Sequence, residues 1–290
     1  MGAEISVVIT TYKRKPEMVR RAVMSVLGQS FEDLELLVVD DNAPGDRAEW
    51  GVEDMLRALG DSRIRYLPME KNSGACAARN AGSRAAGGRY ICFLDDDDEY
   101  LPDKLSLQRA ALEGAPQACM AVGDFYVRSG GRDRKVVLDY DEKDMLRRIF
   151  FKSRLATPNP LIRRECLEEA GYFDEALPSA QDADLWARML ERRPGCIVRD
   201  FVYIQNIHPG ERITGNQKKK LEGNILFVKK HEDFLKKHPR LYSRIVLYQA
   251  KRHILLKDKK QWESFRQAVA IFPPGIFAGL ARMLYWQLRG

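Results

Sequence analysis

The chain has 290 residues, of which 45% are hydrophobic and 31% charged. That balance suits one large folded domain or two small ones and excludes a disordered or fibrous chain; no run of about 18 apolar residues is present to form a conventional transmembrane helix. The net charge of +7 is uneven: residues 216–290 carry 17 Lys/Arg against 5 Asp/Glu, and the rest carries 31 against 36, so the basic character belongs to the tail and no nucleic-acid surface is expected.

Ile5 to Thr10 reads as a first buried strand. The residues around it lack the basic region and long apolar core of a secretory signal. Met1-Gly2-Ala3-Glu4-Ile5-Ser6 matches a myristoylation pattern only formally, and the strand is the better reading. Pro16 sits where a first helical turn accepts proline, and the helix runs to about Gln29. Leu34 to Asp40 is a second strand, followed by a helix over Arg47 to Leu59, a short strand from Arg63 to Leu67 and an alanine-rich helix over Gly74 to Ala86. Tyr90 to Leu94 is long enough for one buried strand and too short for a typical helix. It runs straight into four acids, Asp95-Asp96-Asp97-Asp98. Such alternation predicts an α/β fold with a mainly parallel sheet and helices on both faces.

From Pro102 the pattern changes. Pro102 to Leu112 is helical, and strands near Cys119 to Arg128 and Arg134 to Leu138 flank a turn at Ser129-Gly130-Gly131-Arg132. Asp141 to Phe151, Arg164 to Ala170 and Gln181 to Glu191 read as helices, and Cys196 to Ile204 as a strand. From Gln217 the chain is basic and helical until Pro273-Pro274-Gly275 breaks it. The five cysteines, Cys76, Cys92, Cys119, Cys166 and Cys196, are scattered and form no C-x-x-C pair. A reducing compartment, the cytoplasm, is therefore expected, without a zinc site or disulfide framework.

Four carboxylates at a strand end repel one another. They make sense around a hard divalent cation, because Mg2+ and similar ions take one or two carboxylates plus phosphate oxygens. The competing reading is a solvated acidic turn. In sheets of this kind ligands bind beyond the carboxyl ends of the strands. That rule selects Thr10-Thr11-Tyr12, Asp40-Asp41-Asn42 and Asp95 to Asp98 as one crevice.

Several segments in order resemble an inverting family 2 glycosyltransferase of the GT-A fold, over roughly residues 4 to 210. They are Ser6-Val7-Val8-Ile9-Thr10-Thr11-Tyr12, Val38-Val39-Asp40-Asp41-Asn42, Asn72-Ser73-Gly74 with Arg79-Asn80-Ala81-Gly82, and Phe93-Leu94-Asp95-Asp96-Asp97-Asp98 with Pro102-Asp103-Lys104-Leu105. Gly171-Tyr172-Phe173-Asp174 and Gln181-Asp182-Ala183-Asp184-Leu185-Trp186 follow. The resemblance implies a mixed, mainly parallel Rossmann-like sheet. It divides the chain into a catalytic domain at 1–215, with a nucleotide-sugar half at 1–105 and an acceptor half at 106–215, and a basic helical tail at 216–290.

It also implies site roles. Thr10 and Tyr12 contact the nucleotide base, Tyr12 by stacking, and Asp41 accepts a hydrogen bond from the base edge, which favours uracil. Asn72-Ser73-Gly74 lies at a helix start whose N–H groups can meet phosphate, and Arg79 lies near the nucleotide. Asp97 is the direct ligand of Mn2+ or Mg2+, Asp95 contacts the ribose or completes the metal site through water, and Asp96 lies near the ribose. The four-acid run allows this register to shift by one, and Asp98 reads as a cap before the Pro102 helix. Asp182 matches the general base, with Gln181 where many relatives have Glu. Asp184 supports it and Trp186 belongs to the core. Thr157-Pro158-Asn159-Pro160 resembles the acceptor-side loop. His208, with Arg212 and Thr214 after it, resembles a segment that closes over the diphosphate, where His208 would ligate metal or contact phosphate.

The expected partners are a nucleotide-sugar, above all a UDP-sugar, and a glycan or lipid-linked acceptor of cell-surface polysaccharide. In the tail, Ile271 to Leu288 mixes aromatic and apolar residues with Arg282. It reads as an interfacial helix at the cytoplasmic face of the inner membrane, or as a helix packed on the catalytic domain or on a second subunit of a homo-oligomer. Other classes stay open here. A pyrophosphorylase would open with a Gly-rich loop, which Thr10-Thr11-Tyr12-Lys13-Arg14 lacks. A D-x-D phosphatase would want a threonine where Glu99-Tyr100-Leu101 stands. A degenerate sugar- or lipid-binding module on the same fold would not need Asp97 and Asp182.

Overall fold

The computed structural model describes residues 2–151, 154–207 and 216–287. They fall into two compact units: one within residues 1–146, 154–175 and 185–209, the other within 147–153, 176–184 and 210–290.

The first unit carries the sheet. Its strands are β1 (Ile5–Thr11), β2 (Leu34–Asp40), β3 (Ile64–Pro68), β4 (Tyr90–Asp95), β5 (Glu99–Tyr100), β6 (Met120–Ser129), β7 (Arg132–Val136), β8 (Leu161–Arg163) and β9 (Gly195–Ile207). The order is β3-β2-β1-β4-β8-β6-β9-β5, with β7 on β6. The half β3-β2-β1-β4 is parallel throughout. β8 runs antiparallel between β4 and β6, and β6 pairs parallel with β9. β1 and β2 are buried on both faces, as expected of strands covered by helices on two sides.

The helices α1 (Pro16–Leu27), α2 (Arg47–Trp50), α3 (Val52–Leu59), α4 (Ala75–Ala85), α5 (Lys104–Gly114), α6 (Met145–Phe150), α7 (Arg164–Ala170) and α8 (Gln181–Leu190) follow the sequence pattern closely. α1 buries Val19, Ala22, Val23 and Val26, an i, i+3, i+4, i+7 stripe. One expectation is corrected. The helix over 47–59 is two, because Gly51 at φ +59° is left-handed and ends α2 before α3 begins. α4 lies unusually close to the sheet. A Cβ on Gly82 would fall 2.5 Å from Val8 Cγ1 and 3.0 Å from Val39 Cγ2. Only glycine permits that approach, and it sets the height of Arg79 and Asn80 on the same helix.

Lys104, in the first turn of α5, is fully buried. Its ammonium donates to Gln108 Oε1 (2.5 Å) and to the Asn159 carbonyl (2.7 Å), and lies 4.7 Å from the Tyr100 ring centre. Desolvation lowers it from 10.5 to about 7. Between those two values the unfolded chain still holds the proton that the folded chain has released, so stability from this group rises with pH and is least below pH 7. Relative to Lys104→Met, the native protein should gain about 1.4 kcal/mol per pH unit between about pH 7.5 and 9.5. Urea melts of both proteins at the two pH values would read it. A pH-independent difference would mean that Lys104 keeps its proton in the fold.

The second unit is helical: α9 (Gln217–Lys230), α10 (Glu232–Lys236), α11 (Pro239–Leu255), α12 (Gln261–Ile271) and α13 (Ile276–Gln287), with a 3-10 turn at Pro273–Gly275. Asn216 caps α9 by accepting from the Lys219 N–H at 3.0 Å. Phe150, Phe227 and Phe234 pack ring on ring around His231. On α13, Met283 is fully buried and Gly279 sits against Phe265 of α12. That helix therefore spends part of its apolar surface within its own unit. Among the described residues, no helix is long and apolar enough to cross a membrane.

Candidate active site

Strand register brings the three selected segments to one edge of the first unit. Thr10 is opposite both Val39 and Asp95, and Thr11 is opposite Asp40. The loop ends are cross-braced. Asn42 takes the Lys13 N–H on its Oδ1 and donates to Asp40, whose other oxygen takes the Tyr66 hydroxyl at 2.7 Å. The brace holds Lys13 at a left-handed φ of +49° and leaves Tyr12 exposed, with a ring face available for stacking.

Asp41 is buried. Its carboxylate accepts from the Ser73 N–H (2.8 Å), the Gly74 N–H (2.8 Å) and Asn72 Nδ2 (3.0 Å). The expectation that these two amides meet phosphate is corrected: they hold Asp41, and Asp41 holds the loop that starts α4. One lone pair of Oδ1 is left by these bonds.

The acids divide by role. Asp95 accepts from Arg79 at 2.7 Å, and Asp97 from Arg14 at 3.1 Å. Asp96 is buried and accepts from Arg14 Nε at 2.9 Å. Burial pushes its carboxyl up to about 6 despite Arg14, and the charges of Asp97 and Asp95 add to the rise. Asp98 does not cap the α5 helix as expected. It is buried and accepts the Asn206 N–H at 2.8 Å, while Asn206 Nδ2 donates to the Asp97 carbonyl at 2.9 Å. β9 thereby clamps the acid run in shape. Arg21 adds a bond to the same carbonyl and an ion pair to Glu99 at 3.2 Å.

Arg79 also lies 5.6 Å from the Phe173 ring centre. Its neighbour Asn80 is buried and exchanges bonds with both the N–H and the carbonyl of Phe173, and donates to Glu175. The Gly171-Tyr172-Phe173 segment is thus tied to α4, with Gly171 and Tyr172 both at positive φ. Asn159 is not exposed as an acceptor loop would be. It is fully buried, and its amide exchanges bonds with the Gly123 backbone.

Asp182 is carried by the second unit, in the first turn of α8, half-buried. Two residues on, Asp184 is fully buried and binds Lys230 Nζ and His231 Nε2, each at 3.0 Å. Trp186 is fully buried, as a core residue should be. His208 lies outside the described residues, with Arg212 and Thr214. Sequence reasoning missed Arg14, Arg21 and Asn206. Arg14 had a weak signal in lying just beyond the first strand end; Arg21, within α1, and Asn206 had none.

The donor set suits a hard cation bound partly by its ligand. Asp95 and Asp97 are part-exposed carboxylates on a strand end. Among the described residues no three acidic, histidine or cysteine side chains converge as a closed cage. Mg2+-like ions are typically held in this way, by one or two carboxylates with phosphate and water completing the shell.

This is the architecture of a sugar-transferring enzyme of the GT-A fold: a parallel half-sheet that ends in an acid run, continued by a mixed half. The sequence model described as "Glycosyl transferase family 2" matches residues 6–178, and the chain belongs to that family. WcaA of Escherichia coli (strain K12), named as a colanic acid biosynthesis glycosyl transferase, is 32% identical over 254 residues, covering 84% of this chain and 87% of the relative. Succinoglycan biosynthesis protein ExoO of Rhizobium meliloti (strain 1021) is 30% identical over 226 residues, covering 71% and 62%. Among solved structures, S. aureus TarS 1-349 in complex with UDP-GlcNAc superposes with a TM-score of 0.64 at 18% identity, over 98% of this chain and 89% of that one. The mannosyltransferase PcManGT from Pyrobaculum calidifontis, in complex with GDP-Man and Mn2+, gives 0.63 at 15%, over 98% and 79%. Both confirm the fold.

Proposed function

We propose that this glycosyltransferase moves a sugar from a UDP-sugar to a hydroxyl of a glycan or lipid-linked acceptor, with inversion at C1, in cell-surface polysaccharide synthesis. The observation that carries the reading is the joint placement of Thr10, Asp40 and Asp95 at one strand edge, with Asp97 part-exposed beside them. Residues 1–105 bind the donor and 106–215 the acceptor, while the tail at 216–290 contacts the cytoplasmic face of the membrane. The names of WcaA and ExoO support the polysaccharide assignment. UDP-GlcNAc on TarS supports the donor class.

Tyr12 stacks on the base, and the remaining lone pair of Asp41 takes its N–H. Arg79 and Arg14 are planar forks suited to the ribose and the diphosphate oxygens. Asp97, with Asp95, would hold Mn2+ or Mg2+, which supplies charge neutralisation to the departing diphosphate. Asp182 takes the proton of the acceptor hydroxyl as its oxygen attacks C1 from the face opposite the diphosphate. One displacement inverts the centre, so an α-linked donor gives a β-linked product.

Melting temperature with UDP, GDP and dTDP, each with Mn2+ and then with EDTA, tests this reading. A UDP-selective rise is expected, worth about 2.7 kcal/mol at a hundredfold excess over Kd and abolished by EDTA. A GDP-selective rise would replace the donor class. An EDTA-insensitive rise would remove the metal.

A further inference from the structure

Nothing in the transfer chemistry uses the turn between α11 and α12. It exposes three large apolar side chains: Leu255 (43%), Leu256 (37%) and Trp262 (44%). Interleaved with them are exposed Lys257, Lys259 and Lys260. The turn is firmly built. The Leu256 N–H bonds the Arg252 carbonyl, the Lys257 N–H bonds the Ile254 carbonyl, and Lys257 itself is left-handed at φ +55°. Asp258 is the one acid between Lys251 and Trp262, and it is directed into the turn. It meets His253 Nδ1 at 2.9 Å and takes the Lys260 N–H at 3.0 Å. Exposed Glu263 follows Trp262, and the three exposed lysines outnumber it and the half-exposed Asp258 together.

Further positive charge gathers at this end of the second unit. Arg252 bonds Gln217, the first residue of α9, and exposed Lys218 and Lys219 follow it. Tryptophan favours the boundary between headgroups and acyl chains, leucine favours the chains, and lysine favours anionic headgroups. Water satisfies only the last of these.

We propose that this turn is a membrane wedge: Leu255, Leu256 and Trp262 enter the headgroup boundary of an anionic bilayer while Lys257, Lys259 and Lys260 lie on its phosphates. It deepens the membrane contact proposed above by naming the surface. Vesicle binding needs neither donor nor acceptor, so it can fail without the transfer reading failing.

The test is flotation of the full chain with vesicles of phosphatidylcholine alone and of phosphatidylcholine mixed with phosphatidylglycerol. Binding to the mixed vesicles only is expected, weakening as salt rises. Lys257→Glu/Lys259→Glu/Lys260→Glu should weaken partitioning at least about 100-fold. Leu255→Ser/Leu256→Ser/Trp262→Ser should also release the protein, with transfer to a soluble acceptor kept. Brominated lipid should quench tryptophan fluorescence in the native protein and less in Trp262→Phe. The wedge is overturned if the native protein ignores anionic vesicles, or if both triple variants float as it does. It is equally overturned if the apolar triple variant dissolves a native dimer, which would make the patch a subunit face.

Discussion

Asp182→Asn is expected to lower sugar transfer by about 10²–10⁴-fold, the usual contribution of a positioned general base, while nucleotide-dependent stabilisation stays as in the native protein. The substitution keeps shape. Asp182 Oδ1 accepts the Ala183 N–H at 2.8 Å, and an asparagine oxygen serves that bond equally well. What it removes is the lone pair that takes a proton, together with a negative charge in the first turn of α8, where the helix dipole favours one. The helix keeps its other anchor, since Asp184 is bound by Lys230 and His231. The measurement is release of nucleoside diphosphate from the donor that the melting titration selects, with acceptor present, alongside the UDP-induced rise in melting temperature. If both fall together, Asp182 is structural. If transfer stays within a few-fold, the base is another group.

The second large effect concerns Asp97. Asp97→Asn should abolish the EDTA-sensitive part of the UDP-induced stabilisation and lower transfer by about 10²–10³-fold, the equivalent of several kcal/mol of charge stabilisation in the transition state. Without ligand the variant should melt no lower than the native protein. Asp97 adds to the rise of the buried Asp96 carboxyl, so removing its charge relieves repulsion, and Arg14 retains its 2.9 Å bond to Asp96. Calorimetric titration of Mn2+ with UDP against the variant would check the claim. Undiminished Mn2+ dependence would shift the ligand register to a neighbouring acid of the run.

The parallel half of the sheet was the more legible part of this chain. Its strands announce themselves because parallel strands buried on both faces are nearly continuous apolar runs, as in Leu34–Asp40 and Tyr90–Asp95. Their ends are marked by abrupt polarity, so Thr10, Asp41 and the four acids could be selected before any contact was known. The division of labour within Asp95 to Asp98 was not legible. Four identical residues carry no local signal, and their roles follow from which arginine or amide reaches each one. The break at Gly51 was missed because an amphipathic pattern continues across it. In the tail, composition pointed to Ile271–Leu288 as the lipid-facing segment. Packing buries Met283 and Gly279 there, while Tyr285 of the same helix is exposed, as are Leu255, Leu256 and Trp262 around the turn that precedes it.

The amino-acid sequence by itself determined the alternation of strands and helices, the family, and the polar strand ends that meet at one edge of the sheet, because these follow from short-range periodicity and from motif order. Tertiary structure alone decided that Arg14 holds Asp96 and Asp97, that Asn206 fixes Asp98, that Lys104 reaches Asn159 and that Asp41 anchors the start of α4. Those pairs lie between 32 and 108 residues apart in the chain. A side-chain hydrogen bond needs its atoms within about 3 Å, and over such separations only the folded path of the whole chain brings them there.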